Sequence, residues 1–128
     1  MPQTHPIEIV NAWVAAANAQ DIERLVALSD EEIEVGGPRG SGRGSQLLRD
    51  WMGRAGLTLE TLRTFARGDT VVLEQRGVWR SLETGEVTGE RKLASLFQTG
   101  SQRVVKFARY DDLGEALSAG GLSAADET

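Results

Sequence analysis

Four consecutive segments in the second half of the chain alternate in side-chain character, and each joins the next through a turn too short to cross over. They span residues 57–67, 70–81, 86–99 and 103–110, separated by Gly68 and Asp69, by Glu83, Thr84 and Gly85, and by residues 100–102. Connections this short allow only antiparallel neighbours, because a parallel neighbour needs a dozen or more residues. The half therefore reads as an antiparallel meander. The first half has helical spacing instead: Ile7, Val10, Val14 and Ala17 fall on one face behind Pro6, with Thr4 or His5 as cap. Asp21 caps a short second helix carrying Ile22, Leu25, Val26 and Leu28. Residues 32–35 alternate as a short strand, and 36–44 (GGPRGSGRG) read as a glycine-rich loop. Ser45 opens a third helix with Leu47, Leu48, Trp51, Met52 and Ala55 on one side, ended by Gly56. Beyond the last strand, Asp111 or Asp112 caps a helix bearing Leu113, Ala116 and Leu117, stopped by Gly120 and Gly121. One domain is expected over 1–121, with 122–128 as a disordered, frayed tail. Helices followed by hairpins give an α+β class: a curved, mostly antiparallel sheet with helices on one face.

Composition removes several kinds of function. The chain has 128 residues, no cysteine and one histidine. Disulfide scaffolds, thiolate metal sites and cysteine nucleophiles are excluded, and a triad would depend on His5 alone. His5 itself reads as a cap or surface residue. No metal and no cofactor are expected. The net charge of −5 argues against a nucleic-acid surface. The opening MPQTHPIEIVNAW lacks a cationic region followed by an apolar core, and no apolar run approaches the ~18 residues of a membrane span. A cytoplasmic protein without membrane contact is the expectation. The fourteen cations are twelve arginines and two lysines, a choice that suits forked pairing with carboxylates. Arg39 and Arg43 flank the glycine-rich loop, but it lacks the Gly-Lys-Ser/Thr ending of a phosphate loop.

Three stretches in order carry a family resemblance. They are Trp13–Val14–Ala15–Ala16–Ala17–Asn18–Ala19–Gln20–Asp21 followed by Ile22, Leu25 and Leu28; Gly42–Arg43–Gly44 running into Leu47, Leu48 and Trp51; and Val104–Val105–Lys106–Phe107–Ala108–Arg109–Tyr110–Asp111. With the order of elements they resemble the NTF2-like superfamily, which includes ketosteroid isomerases, SnoaL-type polyketide cyclases and limonene-type epoxide hydrolases. The resemblance covers nearly the whole chain. It implies an NTF2-like (cystatin-like) cone, a strongly curved sheet wrapped around the N-terminal helices, an internal pocket, and a homodimer through the convex sheet face. The catalytic groups of relatives do not carry over. Trp13 stands at the isomerase tyrosine, Gly37 before Pro38 at its aspartate base, and Ser95 near its second aspartate. For the hydrolases, Arg76 matches the arginine, Val78 stands at its partner aspartate, and Arg109 stands near the last-strand aspartate.

The resemblance also sets which strand face turns inward: Val72, Glu74, Arg76, Val78 and Arg80 on one strand, Arg91, Leu93, Ser95 and Phe97 on the next, and Val105, Phe107 and Arg109 on the last. Glu74, Arg76, Arg91, Ser95 and Arg109 would then form a polar cluster, with Glu74 as general base and Arg76 and Arg109 beside it. Trp13, Trp51, Arg91, Ser95, Phe97 and Phe107 would line the ligand site. An arginine excess there favours an anionic or carbonyl-rich ligand. Asp111 is a second acidic candidate, weighed against a role as helix cap. Trp79 reads as core or interface. The convex face would carry Leu73, Trp79, Ala94, Leu96, Val104, Ala108 and Tyr110, too apolar to face water with no helix left to cover it. The leading expectation is a small-molecule-binding SnoaL-like protein that isomerises, cyclises or hydrolyses a small organic substrate. The alternative is a non-catalytic homodimeric interaction module, its pocket closed by Trp13, Trp51 and Phe107.

Overall fold

The structure, a computed structural model, describes residues 5–37, 40–54 and 56–128, with the side chains of 51–54 left aside. The first helix, α1 (Pro6–Asn18), opens as its sequence directs. The His5 ring accepts a hydrogen bond from the Ile7 amide at 3.1 Å, and Pro6 occupies the first turn. Its buried face carries Ile9, Val10, Trp13, Val14, Ala16 and Ala17. A six-residue helix, α2 (Ile22–Ala27), follows an Asp21 cap. Next come β1 (Ser29–Gly37), β2 (Gly40–Arg43), α3 (Ser45–Arg54), β3 (Leu57–Arg67), β4 (Thr70–Arg80), β5 (Val87–Gly100), β6 (Arg103–Tyr110) and α4 (Leu113–Gly120). One sheet runs in the order β2-β1-β6-β5-β4-β3. Only the β1–β6 pair is parallel. The α+β cone expected from the sequence is the observed architecture.

Each face of the sheet has its own core. On the concave face, α1 packs against Leu57 and Leu59 of β3, Val71 and Leu73 of β4, Leu93 and Phe97 of β5, and Val104 and Phe107 of β6. On the convex face, Phe65, Val72, Ala94 and Leu96 pack with Ala116 of α4 and Leu122. Bulges let strands serve both faces, since each adds one residue and shifts the alternation. The register slips between Thr61 and Arg63, so β3 turns Leu59 inward and Phe65 outward. A second slip between Gln98 and Thr99 brings Val104 to the concave side.

Three expectations are corrected here. The glycine-rich segment is not wholly a loop: Gly36 and Gly37 pair with Ser41 and Gly40, making β2 a short edge strand. The convex face is not bare. Leu73, Trp79 and Val104 lie on the concave side, and α4 covers Ala94 and Leu96. The apolar surface from which the homodimer was argued is therefore largely occupied within one chain. Last, residues 122–128 do not fray. Gly121 takes φ +72 and ends α4, which turns the chain back toward β3. A 3-10 turn at Ala124–Asp126 follows, Glu127 bridges to Phe65, and the Thr128 amide donates to the Thr64 carbonyl at 2.9 Å.

Arginines of β3 hold this tail. Arg63 forks onto Glu127 at 3.0 and 2.8 Å, and Arg67 meets Asp126 at 3.0 Å. The hydrogen bonds from Arg63 hold the Glu127 carboxyl below its ordinary value, against a smaller opposing effect of desolvation. A carboxyl lowered in the folded state contributes fully above its unfolded pKa and loses that contribution as pH falls through the folded one. The tail amides of Glu127 and Thr128 should therefore keep native NMR shifts at neutral pH and move toward random-coil positions once the pH drops below the ordinary carboxylate range. Arg63→Ala should give the same shifts at neutral pH. Native tail shifts in Arg63→Ala would show that the ion pair is not what holds it.

Candidate functional site

The two faces of β4 differ in what they would cost to bury. Val71, Leu73, Gln75 and Gly77 carry no charge and are buried, with Trp79 packed against the same core. The other face carries Glu74, Arg76 and Arg80 and turns outward, corresponding to the convex side that holds Val72. Burying unpaired charge against α1 would cost several kcal/mol per ion, about the whole stability of a small domain. The inward placement of Glu74 and Arg76 is corrected accordingly. Arg76 is exposed and bonded to Glu60 at 2.8 Å and Glu90 at 3.1 Å, a ladder across three strands. Glu74 stands opposite Arg63 in the β3–β4 register and adds to the field that raises the Arg63 pKa, behind the larger effect of Glu127.

Arg91, Leu93, Ser95, Phe97, Phe107 and Arg109 face inward, though most are core, while Val105 gives its inward place to Val104 at the bulge. Trp13 is fully buried between Phe97 and Phe107, with ring centroids 5.4 and 4.9 Å away. Its indole N–H donates to Ser29 Oγ at 2.9 Å, and that hydroxyl donates to the Leu25 carbonyl at 2.8 Å. Ser95 donates to Gln75 Oε1 at 2.7 Å, and Gln75 Nε2 reaches Thr61 at 3.4 Å. Among the described residues the buried polar side chains are Ser29, Gln75, Ser95 and Thr99, none of them ionisable. The narrow part of the cone is thus filled by three aromatic rings and two satisfied polar relays. Trp51 lies outside the residues whose side chains are described.

Chemistry gathers at the rim of the concave face. Gly77 pairs with Arg91 in the β4–β5 register. A Cβ on Gly77 would stand 2.9 Å from Leu93 Cδ2, 3.2 Å from the Trp79 ring and 3.3 Å from Leu57 Cδ1. The missing side chain is what lets Trp79 lie back between the two leucines. Arg109 reaches across β5 to place its guanidinium 5.9 Å from the Trp79 ring centre, within cation–π range. Arg91 forms an ion pair with Asp111. Asp111 is not the helix cap: Asp112 fills that role, accepting from the Glu115 amide at 3.1 Å. Two of the arginines read from the sequence, Arg91 and Arg109, therefore share the concave face, Arg91 with Asp111 and Arg109 with Trp79 rather than with Glu74 and Arg76. Glycine two residues before a tryptophan on one strand face was the sequence signal for this platform.

A concavity of about 460 Å3 lies between the β1–β2 hairpin and α4, and Arg109 and Asp111 also contribute to its lining. Glu34, Lys106, Tyr110 and Glu115 line it, and Lys106 is bonded to Glu34 at 3.2 Å. Among the described residues no cluster of three potential ligands could hold a metal ion, and no helix is long and apolar enough to cross a membrane.

The family model of the SnoaL-like domain matches residues 10–112. The chain belongs to the SnoaL-like family. Solved structures agree on the NTF2-like fold. An NTF2-like protein of unknown function from Cytophaga hutchinsonii superposes with a TM-score of 0.73 at 17% identity, covering 87% of this chain and 93% of that one. A putative polyketide cyclase from Sinorhizobium meliloti gives 0.69 at 16%, covering 83% and 99%. An LEH-like epoxide hydrolase from M. tuberculosis gives 0.70 at 20%, covering 90% of each chain. Identities this low speak for the fold alone. No curated protein matches this SnoaL-like chain.

The packing over Gly77 can be tested directly. Gly77→Ala forces a methyl against Leu93 and the Trp79 ring, and should lower the unfolding free energy by about 1–3 kcal/mol in urea titration. An unchanged midpoint would mean that Trp79 does not lie over Gly77.

Proposed function

We propose that this SnoaL-like protein binds a small organic anion with a flat apolar body at the rim of its cone, and that it does so without acid–base catalysis. The observation that carries the reading is the meeting of Arg109 with the face of Trp79, beside the Arg91–Asp111 pair. The indole and its leucine neighbours offer an apolar floor, and two guanidiniums offer forked donors above it. The absence of ionisable groups among the described buried residues supports binding over turnover. The filled aromatic interior also supports a second reading, a closed interaction module with no guest.

The two readings separate with 1-naphthoate as probe, followed by calorimetry. The binding reading expects saturable association, weakened about tenfold by Trp79→Ala or Arg109→Gln, the scale of one stacking or cation–π contact. Glu74→Gln should leave affinity unchanged. No association, or a loss in Glu74→Gln matched by none in Trp79→Ala, would sink the binding reading.

A further inference from the structure

We propose that Asp111 stands in for the carboxylate of the guest, holding Arg91 until a carboxylate-bearing molecule takes its place. The inference rests on the rim reading given above. Asp111 is spared from the helix it precedes, because Asp112 supplies the cap of α4. Its partner is instead Arg91, whose backbone lies opposite Gly77, the residue over which the Trp79 ring is laid. The arginine that Asp111 occupies is therefore rooted on the same sheet face as the apolar floor, on the neighbouring strand.

Both side chains of the pair are 55% exposed. Ion pairs this wet are weakly held and exchange readily with water and with other anions. Asp111 takes Arg91 through Nη2 on Oδ1, a donor that any carboxylate can accept from. A guest carboxylate and the Asp111 carboxylate thus compete for the same donors, with the guest favoured once its flat body covers Trp79. Asp111 is tethered one residue beyond β6, so it stays near the rim after it is displaced. There it repels a second negative charge, and the site selects monocarboxylates over dicarboxylates. Neutral guests gain nothing from Arg91 while Asp111 holds it.

Asp111→Asn removes the internal competitor while keeping its shape. Calorimetry with 1-naphthoate should show about two- to fivefold tighter binding to Asp111→Asn than to the parent chain, the range expected for one half-exposed ion pair. Binding of naphthalene, which offers Arg91 no acceptor, should not change, a contrast that a merely structural role for Asp111 would not produce. If Asp111→Asn does not fold, Asp111→Ser carries the same expectation. Naphthoate binding that needs Trp79 yet is equal or weaker in the Asp111 variant would overturn this proposal and leave the rim site standing. Failure of naphthoate to bind either protein would overturn the rim site and this proposal together.

Discussion

A charged side chain can be packed against an apolar helix only if it brings its partner with it, and that cost fixes how β4 sits. With α1 on one side, β4 buries its uncharged face and leaves Glu74, Arg76 and Arg80 to the other. Much of the molecule follows. Gln75 is the one polar side chain that β4 buries, and Ser95 and Thr61 satisfy it from the neighbouring strands. Trp13 fills the space between β5 and β6 and ties α1 to the start of β1 through Ser29. On the convex side the expelled charges meet opposite charges. Arg76 lies between two glutamates, while Arg63 and Arg67 collect the C-terminal carboxylates.

An interior of this kind bears on chemistry as well as stability. A general acid or base needs an ionisable group within reach of the reacting atom, held where water does not level its strength. The hydroxyls and amide buried in this cone are engaged, Ser95 with Gln75 and Ser29 with the Leu25 carbonyl. At the rim, Arg109 meets the face of Trp79 and Arg91 pairs with Asp111. The proposed anion site draws on these two contacts.

The sequence made the order of elements legible, because short turns and period-2 alternation leave little freedom in an antiparallel meander. The inward faces of β5 and β6 were legible at Arg91, Leu93, Ser95, Phe97, Phe107 and Arg109. The phase of β4 does not follow the family resemblance, which turns Glu74 and Arg76 inward; the strand's own charges favour the opposite face. Val104 was misplaced because a bulge between Gln98 and Thr99 shifts the alternation, and bulges leave little trace in sequence. The covering of the convex face by α4, and of β3 by the tail, depends on long-range contacts that local pattern does not encode. Asp111 and Asp112 are adjacent equals in sequence, and only the geometry of α4 tells cap from ion pair.

The phase of β4 is the central claim, and the chain's lack of cysteine makes it directly measurable. Single cysteines introduced as Leu73→Cys, Gln75→Cys and Arg76→Cys can be timed against a thiol reagent in the folded protein. At position 76 the reaction should run nearly as fast as in the unfolded chain. At 73 and 75 it should proceed only as fast as the protein opens. Fast labelling at 73 and 75 with protection at 76 would contradict the account.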